Sequence, residues 1–490
     1  MRDDIVMGKQ RLGAVGFFLL CGLTLGALVV HGYHPYVEDA EIYLPGVLKQ
    51  LHPALFPHDS AFFLSHAHMT LFPKIVATSF RVLHFPLGAG LLCWQVATIF
   101  LLLYACWRVA QICFGDTCAV WGGVSLVAAL LTIPVAGTAL YIMDQYLTAR
   151  SISTPAAVLA VASALEGAYV TTALWVLLAA FVHPQMAVFA AALIILIAVL
   201  RRPRSGRGLA AMVFARDLFP PVTAAYRRVL ETRPYFFLSR WAWFEWLGIF
   251  APAVLLAWFR QIAVSRKMVT LELACTALLL YQCMFFGSGL VISMPGRFEN
   301  LAEIQPLRSL HLLYILLFVF MGGLLGKFVL RRRPLRWVML FAPLCFGMWF
   351  AQRRLFPATP HLEWPWLATP NPWVQAFEWI QENTPENAYF ALDPQHMELP
   401  GEDEHGFRAI AQRSMLADAI KDSGAATVFP NLAPQWEEQV DAQQGWGHFR
   451  TADLLRLKKR YGVNWVIQKS AIAGLVCPYR NSSLAVCRLD

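Results

Sequence analysis

Three carboxylates, Glu38, Asp39 and Glu41, stand together in the stretch HGYHPYVEDAEIYLPGVLKQ, just past a long apolar run. Only 31 of the 490 residues are acidic, so the grouping asks for a chemical reason. A partly desolvated carboxylate can take the proton of an attacking hydroxyl as a new bond forms. Adjacent side chains point about 100° apart on a helix and to opposite faces of a strand, so only one of Glu38 and Asp39 faces a given site. The competing reading is an N-terminal cap for a helix in IYLPGVLKQL. Glu41, further along, reads as solvated.

A second group lies in MDQYLTARSISTP, where Asp144, Tyr146 and Arg150 fall between two apolar runs. Charges there either mark a polar cavity or are solvated at a boundary. Arg297 and Arg308, in PGRFENLAEIQPLRSLHLLY, precede another apolar run. A guanidinium in that position binds phosphate bidentately or anchors lipid headgroups. His183, followed by Pro184, interrupts an apolar stretch, either as a packed residue or as the lining of a cavity beside a broken helix. Asp59 reads as a helix cap. His66 and His68 are two apart and share no helical face, so they make no metal pair. No GxxxxGKS, HExxH, GxSxG or GxGxxG pattern stands where its chemistry would need it, which argues against nucleotide hydrolysis within the chain.

The elements that must position these residues are membrane helices. The chain is 58% hydrophobic and 14% charged, with a mean hydropathy of +0.51. Repeated apolar runs of about 20 residues match a hydrocarbon core of about 30 Å. They cover residues 12–30, 87–109, 119–141, 152–164, 169–200, 247–259, 268–294, 310–329 and 337–350. The expectation is a polytopic α-helical membrane protein with about 10–12 transmembrane helices. The net charge of +9 does not point to nucleic acid. Arg201, Arg202, Arg204 and Arg207 form one cluster, and Arg331, Arg332, Arg333 and Arg336 another, each directly after an apolar run, as topology signals do. With Arg2, Lys9 and Arg11 ahead of it, the first run reads as a retained helix whose N-terminus is cytoplasmic. Run 169–200 is too long for one ordinary span. Pro184 either breaks it into two helices or kinks a single tilted one, and the parity of crossings up to residue 246 depends on which.

Residues 33–86 form a first outer loop. Leu44, Val47, Leu48 and Leu51 recur at helical spacing, which predicts a helix lying on the membrane surface; Lys74 and Arg81 place the piece 71–83 at the interface too. From residue 356 the composition changes. Trp373, Phe377 and Ile380 line one face of a helix in NPWVQAFEWIQENTP. AYFALDP reads as a strand, LLRLKKRYGVNWVIQKS as a helix running into a second, and SSLAVCRL as a third. This divides the chain into a transmembrane part, 1–355, and a small extracytoplasmic α/β domain, 356–490. Of ten cysteines, eight lie in or beside apolar segments and read as small buried residues. Cys477 and Cys487 stand apart in the tail, where a disulfide is compatible with export but two cysteines alone do not decide it.

The acidic first loop, the polytopic core and the cadence WIQENTPENAYF, FRAIAQRS and RYGVNWVI together resemble the GT-C-type integral membrane glycosyltransferases, which include the protein O-mannosyltransferases and the lipid A aminoarabinose transferases. The resemblance implies transfer of a sugar from a polyprenyl-phosphate donor to a glycan, lipid or protein acceptor at the outer face of a bacterial inner membrane. It implies an acidic residue of the first outer loop as base: Asp39 first, because the family often uses Asp, or Glu38. It implies cations for the donor phosphate, here Arg308, Arg150 and Arg297, with Asp144, Tyr146 and His183 about the cavity. It requires no cofactor, though some branches hold a divalent metal. The alternative function is a transporter or flippase for a lipid-linked or small substrate. A scaffold that has lost its catalysis is a third reading. Internal repeats, frequent in transporters, are not seen.

Overall fold

The computed structural model describes residues 12–201, 222–292 and 298–489. Helix α1 (Ala14–His31) leads into three short helices, α2 (Ala40–Leu51), α3 (Ala61–His68) and α4 (Phe72–Leu83). A bundle follows: α5 (Leu87–Phe114), α6 (Thr117–Ala129), α7 (Ala149–Glu166), α8 (Tyr169–Val182) and α9 (Pro184–Arg201). After the short α10 (Ala224–Glu231) come α11 (Trp243–Ser265), α12 (Val269–Ile292), α13 (Leu310–Leu325) and α14 (Pro334–Leu355). Among the described residues, seven helical stretches are long and apolar enough to cross a membrane: α1, α5, α9, α11, α12, Glu299–Leu330 and α14. The chain is a membrane protein. The expected 10–12 spans exceed this number because α6 and α8 are apolar but short, and α7 is shielded. Almost every face of α7 is buried, so the helix can carry Ser, Thr and Arg without meeting lipid.

The bundle has two chemically different ends. At one, Arg108 of α5 lies 2.6 Å from Glu166 of α7, and Arg201 of α9 donates to the carbonyl of Ala164 at 2.8 Å. Arg266, after α11, stacks over Phe328 below α13 at the same end. At the other end stand Arg150, His183 and Arg308. Helices α8 and α9 are therefore two members of a hairpin turning at His183, not one kinked helix. Pro184 lacks the N–H needed to continue α8, and α9 starts with it. Arg202, Arg204 and Arg207, and any crossing between Arg201 and α10, lie outside the described residues. Helices α6 and α13 meet through Gly122, Gly123, Gly322 and, just past α13, Gly326, while Gly323 faces Phe114 of α5; a Cβ at Gly122 would collide with the Gly322 carbonyl. Small residues are what allow membrane helices to approach so closely.

The tail folds as the sequence leads one to expect, with additions. Helix α15 (Pro372–Asn383) buries Trp373, Phe377 and Ile380. Strands β1 (Tyr389–Ala391), β2 (Ser414–Met415), β3 (Trp465–Gln468), β4 (Val476–Arg480) and β5 (Ala485–Arg488) form one sheet in the order β2-β1-β3-β5-β4. β2, β1 and β3 are parallel, while β3, β5 and β4 are antiparallel. Around it lie α16 (Phe407–Ala411), α17 (Lys421–Val428), α18 (Ala433–Ala442) and α19 (Thr451–Tyr461). Cys477 and Cys487 form a disulfide between β4 and β5.

This α/β unit docks onto the first loop, and the docking corrects two expectations. Leu44, Val47 and Leu48 of α2 do not lie against a membrane surface. They pack inside the protein with Val76 and Phe80 of α4 and Ala409 of α16. Glu41 is not solvated. It is 0% exposed, accepts the backbone N–H groups of Arg408 and Ala409, each at 3.0 Å, and pairs with the Arg408 guanidinium at 3.3 Å. Arg408 also holds Asp422 at 2.7 Å and Asp418 at 3.7 Å. A second junction joins three segments. Tyr33 bridges Leu362, Val37 bridges His405, and Glu363 lies 2.6 Å from His34 and 3.1 Å from His405. Burial alone would lower the His405 imidazole, but the Glu363 carboxylate raises it to about 9. Burial would raise Glu363, yet the two imidazoles hold it at about 2.

Candidate active site

The turn that carries Glu38 and Asp39 is fixed from the C-terminal side. The Glu38 N–H donates to the Glu404 carbonyl at 2.8 Å, and Glu38 adopts a left-handed conformation with φ 56°. The two carboxylates then part. Glu38 pairs with Lys421, the first residue of α17. Asp39 stands at the N-cap position of α2 but makes no capping bond. Its Oδ2 accepts from Arg150 at 3.1 Å and its Oδ1 from Lys421 at 3.3 Å. The capping reading of this pair therefore fails: the side chain that would cap is turned to two cations.

Arg150 sits in the first turn of α7, whose start is held by a reciprocal pair of bonds between Thr148 and Ser151. Its guanidinium reaches back to Asp144 at 2.9 Å and forward to Asp39. Burial alone would raise the Asp39 carboxyl. The neighbouring guanidiniums, Arg150 first and then Arg308 and Arg233, hold it below its ordinary value, so it is ionised. With 29% of its side chain exposed, Asp39 faces a cavity of about 480 Å³.

The cavity lies between the bundle end and the α/β unit. Arg150, His183 and Arg308 line it from the bundle side, and Arg233 and Lys421 from the other. Several buried polar atoms on its walls lack a hydrogen-bond partner among the described residues: Arg308 Nε, Arg233 Nε, His66 Nδ1, His183 Nδ1 and Gln305 Oε1. Buried polar groups are rarely left unpaired, and five on one cavity wall mark a place for a polar ligand. The Arg308 guanidinium lies 5.9 Å from the Tyr235 ring and has no ion pair among the described residues. Burial lowers the His66 imidazole to about 4, so it acts as a neutral hydrogen-bonding group rather than a cation.

Of the residues singled out from sequence, Asp39, Arg150, Arg308 and His183 converge on this cavity. Asp144 stands behind Arg150, and Glu38 behind Lys421. Tyr146 packs with Val37, Ala40 and Phe356 beneath the Glu38–Asp39 turn. Arg297 lies outside the described residues. Asp59 caps no helix; it accepts hydrogen bonds from Tyr389, from Gln435 at 2.8 Å and from Gln439 at 3.1 Å, and so ties the first loop to the α/β unit. Sequence reasoning missed Lys421 and Arg233, which carried no motif. A divalent metal is poorly suited here. Both Asp39 oxygens already face cations, and Glu38 and Asp144 are each paired with one of the same two.

No family model matches the chain, and no curated protein matches it. Among solved structures it is similar to the Archaeoglobus fulgidus oligosaccharyltransferase in complex with Zn and sulfate, at 13% identity and TM-score 0.44, covering 92% of this chain and 68% of that one. It is also similar to the archaeal oligosaccharyltransferase AglB from Archaeoglobus fulgidus in complex with an inhibitory peptide and a dolichol-phosphate, at 11% identity and TM-score 0.45, covering 92% and 69%. A third is the arabinofuranosyltransferase AftD from Mycobacteria, at 13% identity and TM-score 0.48. There 97% of this chain matches, but it spans only 40% of that protein. Likeness at these scores assigns no chemistry to the chain.

Proposed function

We propose that this cavity moves a sugar from a polyprenyl-phosphate donor to an acceptor hydroxyl, as the sequence resemblance to GT-C-type glycosyltransferases implies. The observation that carries the reading is the pairing of opposites on one cavity. An ionised carboxylate, Asp39, and a guanidinium with no ion pair among the described residues, Arg308, share about 480 Å³ at the end of a membrane bundle. Asp39 takes the proton of the acceptor hydroxyl as its oxygen bonds to the anomeric carbon. The bond from that carbon to the phosphate oxygen breaks, and the polyprenyl phosphate leaves with the electron pair. Arg308 meets the charge that grows on it, with Arg233 close by. No metal or nucleotide enters these steps.

The site then faces the extracytoplasmic side of a bacterial inner membrane. Two features support that orientation. The basic residues Arg108, Arg201 and Arg266 gather at the opposite end of the bundle, and a disulfide lies on the cavity side. The test uses the full chain purified in detergent with radiolabelled polyprenyl-phosphate mannose, arabinose and galactose as probes. Asp39→Asn should lower transfer by at least about 100-fold while polyprenyl phosphate still binds. Arg308→Met should weaken that binding. Full transfer by both variants sinks the assignment. Turnover without two compartments excludes pure transport.

A further inference from the structure

We propose that Lys421 is a positioning residue for Asp39, and that the α/β unit supplying it is part of the active site rather than an appendage. The proposal rests on the glycosyl-transfer reading above. Each oxygen of Asp39 is held by a different cation: Oδ2 by Arg150 at 3.1 Å and Oδ1 by Lys421 at 3.3 Å. Two holds on two oxygens fix the plane of the carboxylate, which a single contact would leave free to turn. Lys421 is only 6% exposed and its amine reaches the cavity wall; burial lowers it to about 7, so it holds Asp39 as a cation below that pH. Its backbone is held from behind. Asp418 accepts the N–H groups of Ile420, at 2.7 Å, and Lys421, while Asp422 is tied through Arg408 to Glu41. The position of Lys421 thus depends on the docking of the α/β unit onto α2.

The charges are arranged for a carboxylate whose own charge comes and goes. When Asp39 accepts the hydroxyl proton it becomes neutral, and each cation beside it loses an anion. Neither is stranded. Arg150 keeps Asp144 at 2.9 Å, and Lys421 keeps Glu38. A buried cation left alone would oppose the proton transfer strongly, so a second acid behind each cation removes that penalty. This gives Glu38 and Asp144 a reason to exist without either touching substrate.

The test compares Lys421→Met, Lys421→Arg and Glu38→Gln in the full chain in detergent, with the same three labelled donors. The other charged and titratable groups about Asp39 are unchanged in all three: Arg150, Asp144, Arg233, Arg308, His66, Tyr43, Tyr146 and Glu404. With one cation removed, Asp39 takes up a proton more readily. Lys421→Met should move the acidic limb of the kcat/KM profile up by about one pH unit. At pH 6 it should lower kcat about tenfold or more, while affinity for polyprenyl phosphate stays within about threefold. Lys421→Arg should restore the profile. Should Lys421→Met fail to fold, Glu38→Gln, which frees Lys421 from its anchor, should shift kcat in the same direction at unchanged melting temperature. An active wild type with an unshifted acidic limb in Lys421→Met, or in Glu38→Gln no change in kcat, overturns the positioning role. A wild type inert towards all three donors overturns the glycosyl-transfer reading instead.

Discussion

Removing the Arg408 guanidinium should cost this protein more stability than almost any other single change outside the bundle. Arg408 is 1% exposed and faces three acids: Asp422 at 2.7 and 3.1 Å, Glu41 at 3.3 Å and Asp418 at 3.7 Å. Arg408→Met keeps most of the stem and deletes the charge, leaving three buried carboxylates with no guanidinium between them. Breaking a buried pair from one side costs about 3–5 kcal/mol. The Glu41 bonds to the backbone of Arg408 and Ala409 survive and offset part of this. At about 2–4 °C per kcal/mol for a unit of this size, the α/β unit should melt about 10 °C earlier. The assay is tryptophan fluorescence of the full chain in detergent, since Trp373, Trp436, Trp446 and Trp465 all sit in that unit. The pH dependence is a further check. Burial pushes Asp422 up to about 7 even against the Arg408 charge, so orphaned acids will take up protons in mild acid and recover stability. The deficit should therefore be smaller at pH 5 than at pH 8. A variant that melts within about 2 °C of wild type at pH 8, or a deficit that grows on acidification, would refute the reasoning.

Two more predictions concern the junction and the disulfide. His405 has a folded value of about 9 above its ordinary 6.5, so its contribution is complete below 6.5 and is lost as pH rises through 9. Glu363, held at about 2 against an ordinary 4.5, contributes fully above 4.5 and loses that on descent through 2. The junction is thus strongest between these windows. The melting temperature should fall from pH 6.5 to 9, and Glu363→Gln should flatten that slope; a slope unchanged by the substitution would count against it. In alkylation of denatured protein, unreduced chain should take up adducts at the eight free cysteines, and reduced chain at all ten. Ten adducts without reductant would remove the disulfide.

Much of the framework was legible because it rests on local pattern. Apolar runs gave the long helices, and short apolar runs bounded by turn residues gave β1, β3 and β5. β2 has two residues, too few to alternate, and β4 contains Pro478, which lacks a donor and reads against a strand; at the sheet edge it is tolerated. Asp39, Arg150 and Arg308 could be chosen because charges near apolar runs are scarce. Glu41 was misread because its partner, Arg408, is 367 residues away. The stripe on α2 was misread for a related reason. An apolar stripe says that something covers it, not whether the cover is lipid or protein. Lys421 had no signal at all, since a lysine opening a short helix looks like any solvated one.

The distance from Glu38 to Lys421 has a consequence for the birth of the molecule. The two are 383 residues apart. At about 5–20 residues per second, a ribosome needs roughly 20–80 s to travel from one codon to the other. Through that interval the membrane helices can insert while Glu38, Asp39 and Glu41 wait without the lysine and arginine that later pair with them. The nascent chain therefore carries these acids without those two partners until its last segment has docked, and a message cut short before Arg408 would lack both of them.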